Sequence, residues 1–214
     1  MMNVLTEFQI HLLKKIAQSR LKDSFFLTGG TALSAFYLQH RLSDDLDFFT
    51  EEEPYIKLVP QMMKEITDSL GATMEVSRNF ASFIEIFITK GEDVIKCDFA
   101  WDSPYRLKDK VYQEDYGIFV DNSLDIACNK LSALFDRKEV KDFVDIYFID
   151  RELFKFEEIL PKAKEKHIGM DNYWLAVSMN NIHHFNKLPF MIKSVTLEEL
   201  RIFYLKKIEY LMLD

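Results

Sequence analysis

Apolar residues recur in two rhythms over the first two thirds of the chain and in one rhythm over the remainder. Phe8, Leu12, Leu13 and Ile16 fall three and four apart, so Glu7 to Ser19 predicts an amphipathic helix. Phe25-Phe26-Leu27 is a short apolar run that stops at two glycines, and Leu33, Phe36 and Tyr37 then take helical spacing over Thr31 to Gln39; the segment reads strand, tight turn, helix. Asp45-Leu46-Asp47-Phe48-Phe49 reads as a strand, and Pro54 opens a helix toward Leu70 with Gly71 as its stop. Met74 to Ser77 predicts another strand. Phe83 to Thr89 and Val94 to Phe99 are β-rich runs around Lys90-Gly91-Glu92-Asp93, the signature of a hairpin with a four-residue loop. Gly117 to Val120 reads as a short strand or extended link.

From there the pattern is helical. Asn122 or Ser123 can cap a helix carrying Lys130 and Arg137. Phe156–Lys166, Asn172–Phe185 and Thr196–Leu213 follow, the last opened by Thr196-Leu197-Glu198-Glu199 in capping-box form. The expected fold class is α/β (α+β): a mixed sheet flanked by helices in residues 1–120, then a helical domain in residues 121–214. No internal repeat or low-complexity tract interrupts it.

Composition narrows the class. In 214 residues, 48% apolar and 14% aromatic content with nineteen phenylalanines fills a substantial core and excludes a disordered chain. No apolar run reaches the length of about eighteen residues that a spanning helix needs. Met1 to Glu7 lacks the charged start and apolar stretch of a signal peptide, so no membrane association is expected and the location expected is cytoplasmic. Cys97 and Cys128 both lie in apolar patterns and read as reduced core residues. A net charge of −8 argues against a basic coat, yet leaves room for a nucleic-acid substrate at a local patch. Sources for one are Arg106, Lys108 and Lys110; Lys130, Arg137, Lys138 and Lys141; and Lys162, Lys164 and Lys166, each group being equally readable as a solvated helix face.

The candidate chemistry concentrates near the glycines. Gly29 and Gly30 let the backbone approach a ligand closely, and the helix that follows points free N–H groups at it, so Gly29, Gly30 and Thr31 suit an anion such as a nucleotide phosphate. Strand spacing sends the Asp45 and Asp47 carboxylates to one face, where they repel each other unless a cation sits between them; hard oxygen ligands suit Mg²⁺ or Mn²⁺. Asp98 joins them if its strand lies beside theirs, although Lys96 shares its face and can neutralise it. Three acids at a sheet end are the donor set for metal-assisted transfer of a nucleotide.

Farther along, Asp142 and Asp145 stand one helical turn apart. Asp142 either braces Lys130 or Arg137, acts as a base near an acceptor hydroxyl, or marks a helix start. Arg41 either pairs with an acid or reaches a phosphate. His167, His183 and His184 lack ligand spacing and read as ordinary helix residues.

The ordered set Gly29-Gly30-Thr31-Ala32-Leu33, Arg41 with Asp45-Leu46-Asp47-Phe48-Phe49, Lys96 with Asp98, and Lys130 with Asp142 and Asp145 resembles the signature of the AbiEii-type toxin family, a branch of the polymerase-β-like nucleotidyltransferase superfamily. The resemblance runs from Phe25 to Tyr147. It implies a nucleotidyltransferase-like fold, an NTP substrate, and Lys130 in contact with the nucleotide phosphates, with Arg41 and Arg137 as further nucleotide-binding candidates. It also implies toxin activity, favouring transfer of NMP to tRNA, restrained by a cognate antitoxin. A small-molecule or protein-hydroxyl acceptor suits the same site. Outside enzymes, the alternative is a non-catalytic nucleotidyltransferase-like scaffold, which the presence of all three acids disfavours.

Overall fold

The structure, a computed structural model, describes residues 4–213; Met1–Asn3, where the sequence predicts no signal peptide, and Asp214 lie outside the described residues. The chain divides into two compact units, one of residues 1–35 and 43–122, the other of residues 36–42 and 123–214.

The first unit is built on a seven-stranded mixed sheet. Its strands are β1 (Phe26–Thr28), β2 (Leu46–Thr50), β3 (Thr73–Phe80), β4 (Phe83–Lys90), β5 (Asp93–Trp101), β6 (Val111–Gln113) and β7 (Ile118–Val120), in the order β3-β4-β5-β2-β1-β7-β6. β2 runs parallel to β5 and β1 parallel to β7, while the remaining neighbours are antiparallel. Strict alternation decides the two faces. Leu46, Phe48, Ile84, Ile86, Ile88, Ile95, Cys97 and Phe99 are buried on one, and each large apolar side chain so buried contributes roughly 1.5–3 kcal/mol. Asp47, Glu85, Lys96 and Asp98 are half-buried on the other. Helix α1 (Glu7–Ala17) packs on β7 and on α4 (Val59–Ser69), and α4 packs on β3; a short turn of helix, α2 (Leu21–Ser24), leads into β1. The Phe99 ring stacks on Phe48 at 5.0 Å and meets the edge of Phe25 at 5.3 Å. Thr6 caps α1 through a capping box with Gln9.

Several local expectations change in detail. The hairpin loop is Gly91-Glu92 alone, because Lys90 and Asp93 pair directly across the ladder, and Gly91 takes φ +62° as a tight two-residue connection requires. The helix opened by Pro54 begins as a 3₁₀ stretch, Glu53–Leu58, before α4 takes over. Helix α3 (Gly29–Leu33) starts at the first glycine, earlier than Thr31, and continues as a π-helical turn over Ser34–Leu38. β3 is longer than Met74–Ser77, and β6 had no strong apolar alternation to announce it.

The second unit is helical: α5 (Ser123–Asp136), α6 (Val140–Glu152), α7 (Phe156–Lys166), α8 (Asn172–Met179) with a 3₁₀ extension over Asn180–His184, and α9 (Leu197–Leu213). α5 packs against α6, α7 and α8, and α9 against α6 and α8. At its centre Phe143 meets Tyr204 at 4.9 Å, and the buried Tyr204 hydroxyl donates to the Phe143 carbonyl at 2.7 Å. The capping box at Thr196 forms as expected: the Glu199 N–H donates to Thr196 Oγ1 at 3.1 Å, and the Thr196 N–H donates back to Glu199 Oε2 at 2.7 Å.

Candidate active site

Backbone conformation sets the first cluster. Gly29 sits at φ +71°, and a Cβ built there would lie 2.0 Å from Asp47 Oδ2. Only glycine both adopts this conformation and lets the Asp47 carboxylate press against the turn. The register agrees, since Thr28 faces Asp47 across β1 and β2. Thr31 Oγ1 donates to the carbonyl oxygen of Asp45, which immediately precedes β2, so the glycine turn and the aspartate segment are fastened at two points. β5 then lies beside β2 with Asp98 directly opposite Asp47. Gly29, Thr31, Asp45, Asp47 and Asp98 are therefore brought together within the first unit.

Lys96 stands among these acids. Its ammonium lies 2.7 Å from Asp98 Oδ2 and 3.6 Å from Asp45 Oδ2. Burial works against the charged ammonium, but the hydrogen bond to Asp98 and the charges of Asp45, Asp98 and Asp47 outweigh it and raise its pKa. For Asp98 the balance goes the other way: burial, with Glu85 and Asp45 adding to it, raises the carboxyl's pKa despite Lys96. Asp98 Oδ1 is buried without a hydrogen-bond partner. Among the described residues, no three His, Cys, Asp or Glu side chains are gathered closely enough to hold a metal ion as they stand. The donor set is nevertheless suited to a hard divalent cation: carboxylate oxygens, one of them buried and unpartnered, beside a turn where a Cβ would intrude.

Sequence reasoning missed the brace beneath the turn. Asp121, fully buried after β7, accepts from Thr28 Oγ1 at 2.9 Å and from Arg106 Nη1 at 2.8 Å, and its backbone N–H donates to Leu27. Arg106 lies over the Phe26 ring at 4.1 Å and pairs with Glu51, which also binds Lys110. An acid directly following Ile118-Phe119-Val120 was the available signal. Arg106 and Lys110 are thus engaged with Glu51 and do not form an open basic patch, and Lys166 is likewise buried against Asp125.

A second charged cluster lies within the helical unit. Asp145 accepts from Arg41 Nε at 2.7 Å and Arg41 Nη2 at 2.9 Å, from Lys130 Nζ at 2.7 Å, and faces His40 Nε2 at 2.7 Å. Asp142, one turn earlier on α6, takes both Arg137 Nε and Nη2 at 2.8 Å and Lys130 Nζ at 3.2 Å. Asp142, Asp145, Lys130, Arg41 and His40 are buried, whereas the Arg137 side chain is 44% exposed. Burial opposes the Asp145 charge, yet Lys130, Arg41 and His40 overcome it and hold the carboxyl well below its usual range. Burial lowers the pKa of His40, even with Asp145 against it. Arg41 therefore makes a bidentate pair with Asp145, and Lys130 is buried beside it. His40, which directly precedes Arg41 in the sequence, acquires its partner only when the fold delivers Asp145. Cys97 and Cys128 are free and buried, with burial raising both thiol pKa values, that of Cys128 to about 12.

In the middle of the mixed sheet, where β1, β2 and β5 lie side by side, a glycine turn is thus pressed against Asp47 with Asp98 opposite. The particular family follows from comparison. The model of the nucleotidyl transferase AbiEii toxin of a type IV toxin–antitoxin system matches residues 11–203, so the chain belongs to that family and is a nucleotidyltransferase. It is 31% identical over 172 residues to the uncharacterized protein aq_aa25 of Aquifex aeolicus (strain VF5), spanning 79% of each chain. In fold it is similar to JHP933 from Helicobacter pylori, with a TM-score of 0.60 at 16% identity over 94% of this chain and 87% of that one. It is also similar to MenT4, a nucleotidyltransferase toxin from Mycobacterium tuberculosis H37Rv, with a TM-score of 0.57 at 16% identity over 96% and 82% of the two chains. Among the described residues no helix is long and apolar enough to cross a membrane.

Proposed function

We propose that the chain transfers NMP from an NTP to tRNA with a divalent ion, Mg²⁺ or Mn²⁺, and acts in the cytoplasm as a toxin restrained by a cognate antitoxin. The observation that carries the reading is the close approach of Gly29 to Asp47 with Asp98 alongside. Asp45, Asp47 and Asp98 would hold the ion, which supplies charge neutralisation at the triphosphate and activation of the attacking oxygen. Gly29, Gly30 and Thr31 receive the phosphates on backbone N–H groups at the start of α3. Thr31 fixes the Asp45 backbone through its hydroxyl, and Asp121 steadies the strand end from which the turn departs. Within the second unit, Lys130 and Arg41, fastened to Asp145, hold the helical arrangement, and Asp142 acts as its brace because both its oxygens are taken; the half-exposed Arg137 is the nucleotide-binding candidate of that unit. The toxin character of the family supports an acceptor on which growth depends, as tRNA is.

The test is incubation with each α-labelled NTP, total RNA and Mg²⁺. Label should appear on tRNA, and Asp47→Asn should lower incorporation by about a hundredfold or more, with a melting temperature equal to or above that of the parent because a repelling charge is gone. Label on a protein or an aminoglycoside instead of RNA would transfer the reading to another acceptor, and pyrophosphate release unchanged by Asp47→Asn would remove the site.

A further inference from the structure

We propose that Lys96 is the resident counter-ion of the Asp45, Asp47 and Asp98 group and competes with the divalent cation for it, thereby setting the affinity of the site for metal. The inference rests on the metal-site reading above and deepens it. Strand geometry makes the arrangement obligatory: Lys96 lies two residues before Asp98 on β5, so both side chains leave the same face. The ammonium reaches two of the three acids, at 2.7 Å and 3.6 Å. It satisfies Asp98 Oδ2 while Oδ1 of the same carboxylate remains buried and unpartnered. A divalent ion brings two charges and can take several oxygens, which a tethered ammonium with one charge cannot match. With both cations at Asp98 Oδ2, the ammonium and the ion would repel each other across a few ångströms. Because Lys96 is 25% exposed and its charge sits on a flexible stem, the ammonium has a route outward when an ion arrives. Before that, it relieves the mutual repulsion of the acids, so the unit folds without metal.

By linkage, whatever free energy Lys96 gives the metal-free cluster is subtracted from metal binding. The experiment is titration of the full chain with Mn²⁺ alone, free Mn²⁺ being followed by electron paramagnetic resonance, for the parent, Lys96→Met and Asp47→Asn. Lys96→Met should bind Mn²⁺ about tenfold or more tightly, and its melting temperature should fall without metal and recover when Mn²⁺ is added. In the unaltered chain, Mn²⁺ should increase acetylation of Lys96 by an amine-directed reagent, read by mass spectrometry; this arm needs no substitution and holds even if Lys96→Met folds poorly. Mn²⁺ bound by the parent, weakened in Asp47→Asn but no tighter in Lys96→Met, with Lys96 labelling unmoved, would overturn the competition while leaving the metal site standing. Mn²⁺ bound by none of the three chains would overturn both.

Discussion

The two charged clusters of this chain, one on the sheet and one among the helices, contain nearly the same residue types and are built to opposite ends. In the helical unit each carboxylate is saturated: Asp145 meets Arg41, Lys130 and His40, and Asp142 meets Arg137 and Lys130. On the sheet, Asp98 and Asp45 share the one ammonium of Lys96, and one buried oxygen of Asp98 has no partner. A saturated buried network holds helices in place, since removing any member strands a charge away from water. An undersupplied one is an unfinished site, and its deficit is of the sign a cation would correct. The contrast teaches that the same acids can serve as mortar or as ligands, depending on how many donors surround them.

The severest way to break the comparison is Asp145→Ala. Arg41 would remain buried without its carboxylate, and Lys130 would keep only Asp142, costing about 3–5 kcal/mol of stability, which denaturant unfolding measures; a loss no larger than that of an exposed acid would mean the helical cluster is not structural. Next comes Gly29→Ala, which strains a backbone at φ +71° and drives a methyl group into Asp47. The strain costs about 1–3 kcal/mol, and nucleotide incorporation should fall further than stability does, because the carboxylate must move. Activity equal to that of the parent would detach the turn from the chemistry.

The smallest effect is a pH limb. His40 has a folded pKa below the ordinary histidine value, so the unfolded chain takes up the proton first as pH falls below about 6.5. The stability it contributes is present above that value and is lost as pH drops through the folded value. Melting temperature should therefore decline below about pH 6.5 in the parent and more gently in His40→Gln. The contribution from Asp145, whose pKa is depressed, is present above about pH 4 and is lost only deeper in acid. Equal slopes for parent and variant between pH 7 and pH 5 would remove His40 from the network.

Much of this was legible in residue order. Alternation in Leu46 to Thr50, Phe83 to Lys90 and Asp93 to Trp101 assigns the strands and their buried faces, and helical spacing with the Thr196 cap marks where the last helix starts, while the Thr6 cap emerged only in the structure. The shared face of Lys96 and Asp98 follows from a period of two. The two-residue hairpin loop was hidden because Lys90 and Asp93 are polar enough to read as loop while still pairing. The place of Arg41 was hidden for a different reason: its partner lies 104 residues away on α6.

The sequence by itself determined the elements, the inventory of acids and cations, and the glycine turn, because period, caps and positive-φ positions are local properties of neighbouring residues. Tertiary structure alone decided that β5 lies beside β2, that Asp98 faces Asp47, and that Asp145, not another acid, receives Arg41, Lys130 and His40. Those pairings depend on which apolar faces pack together, and the ionic groups are carried to their partners by that packing, not by their own short-range attraction.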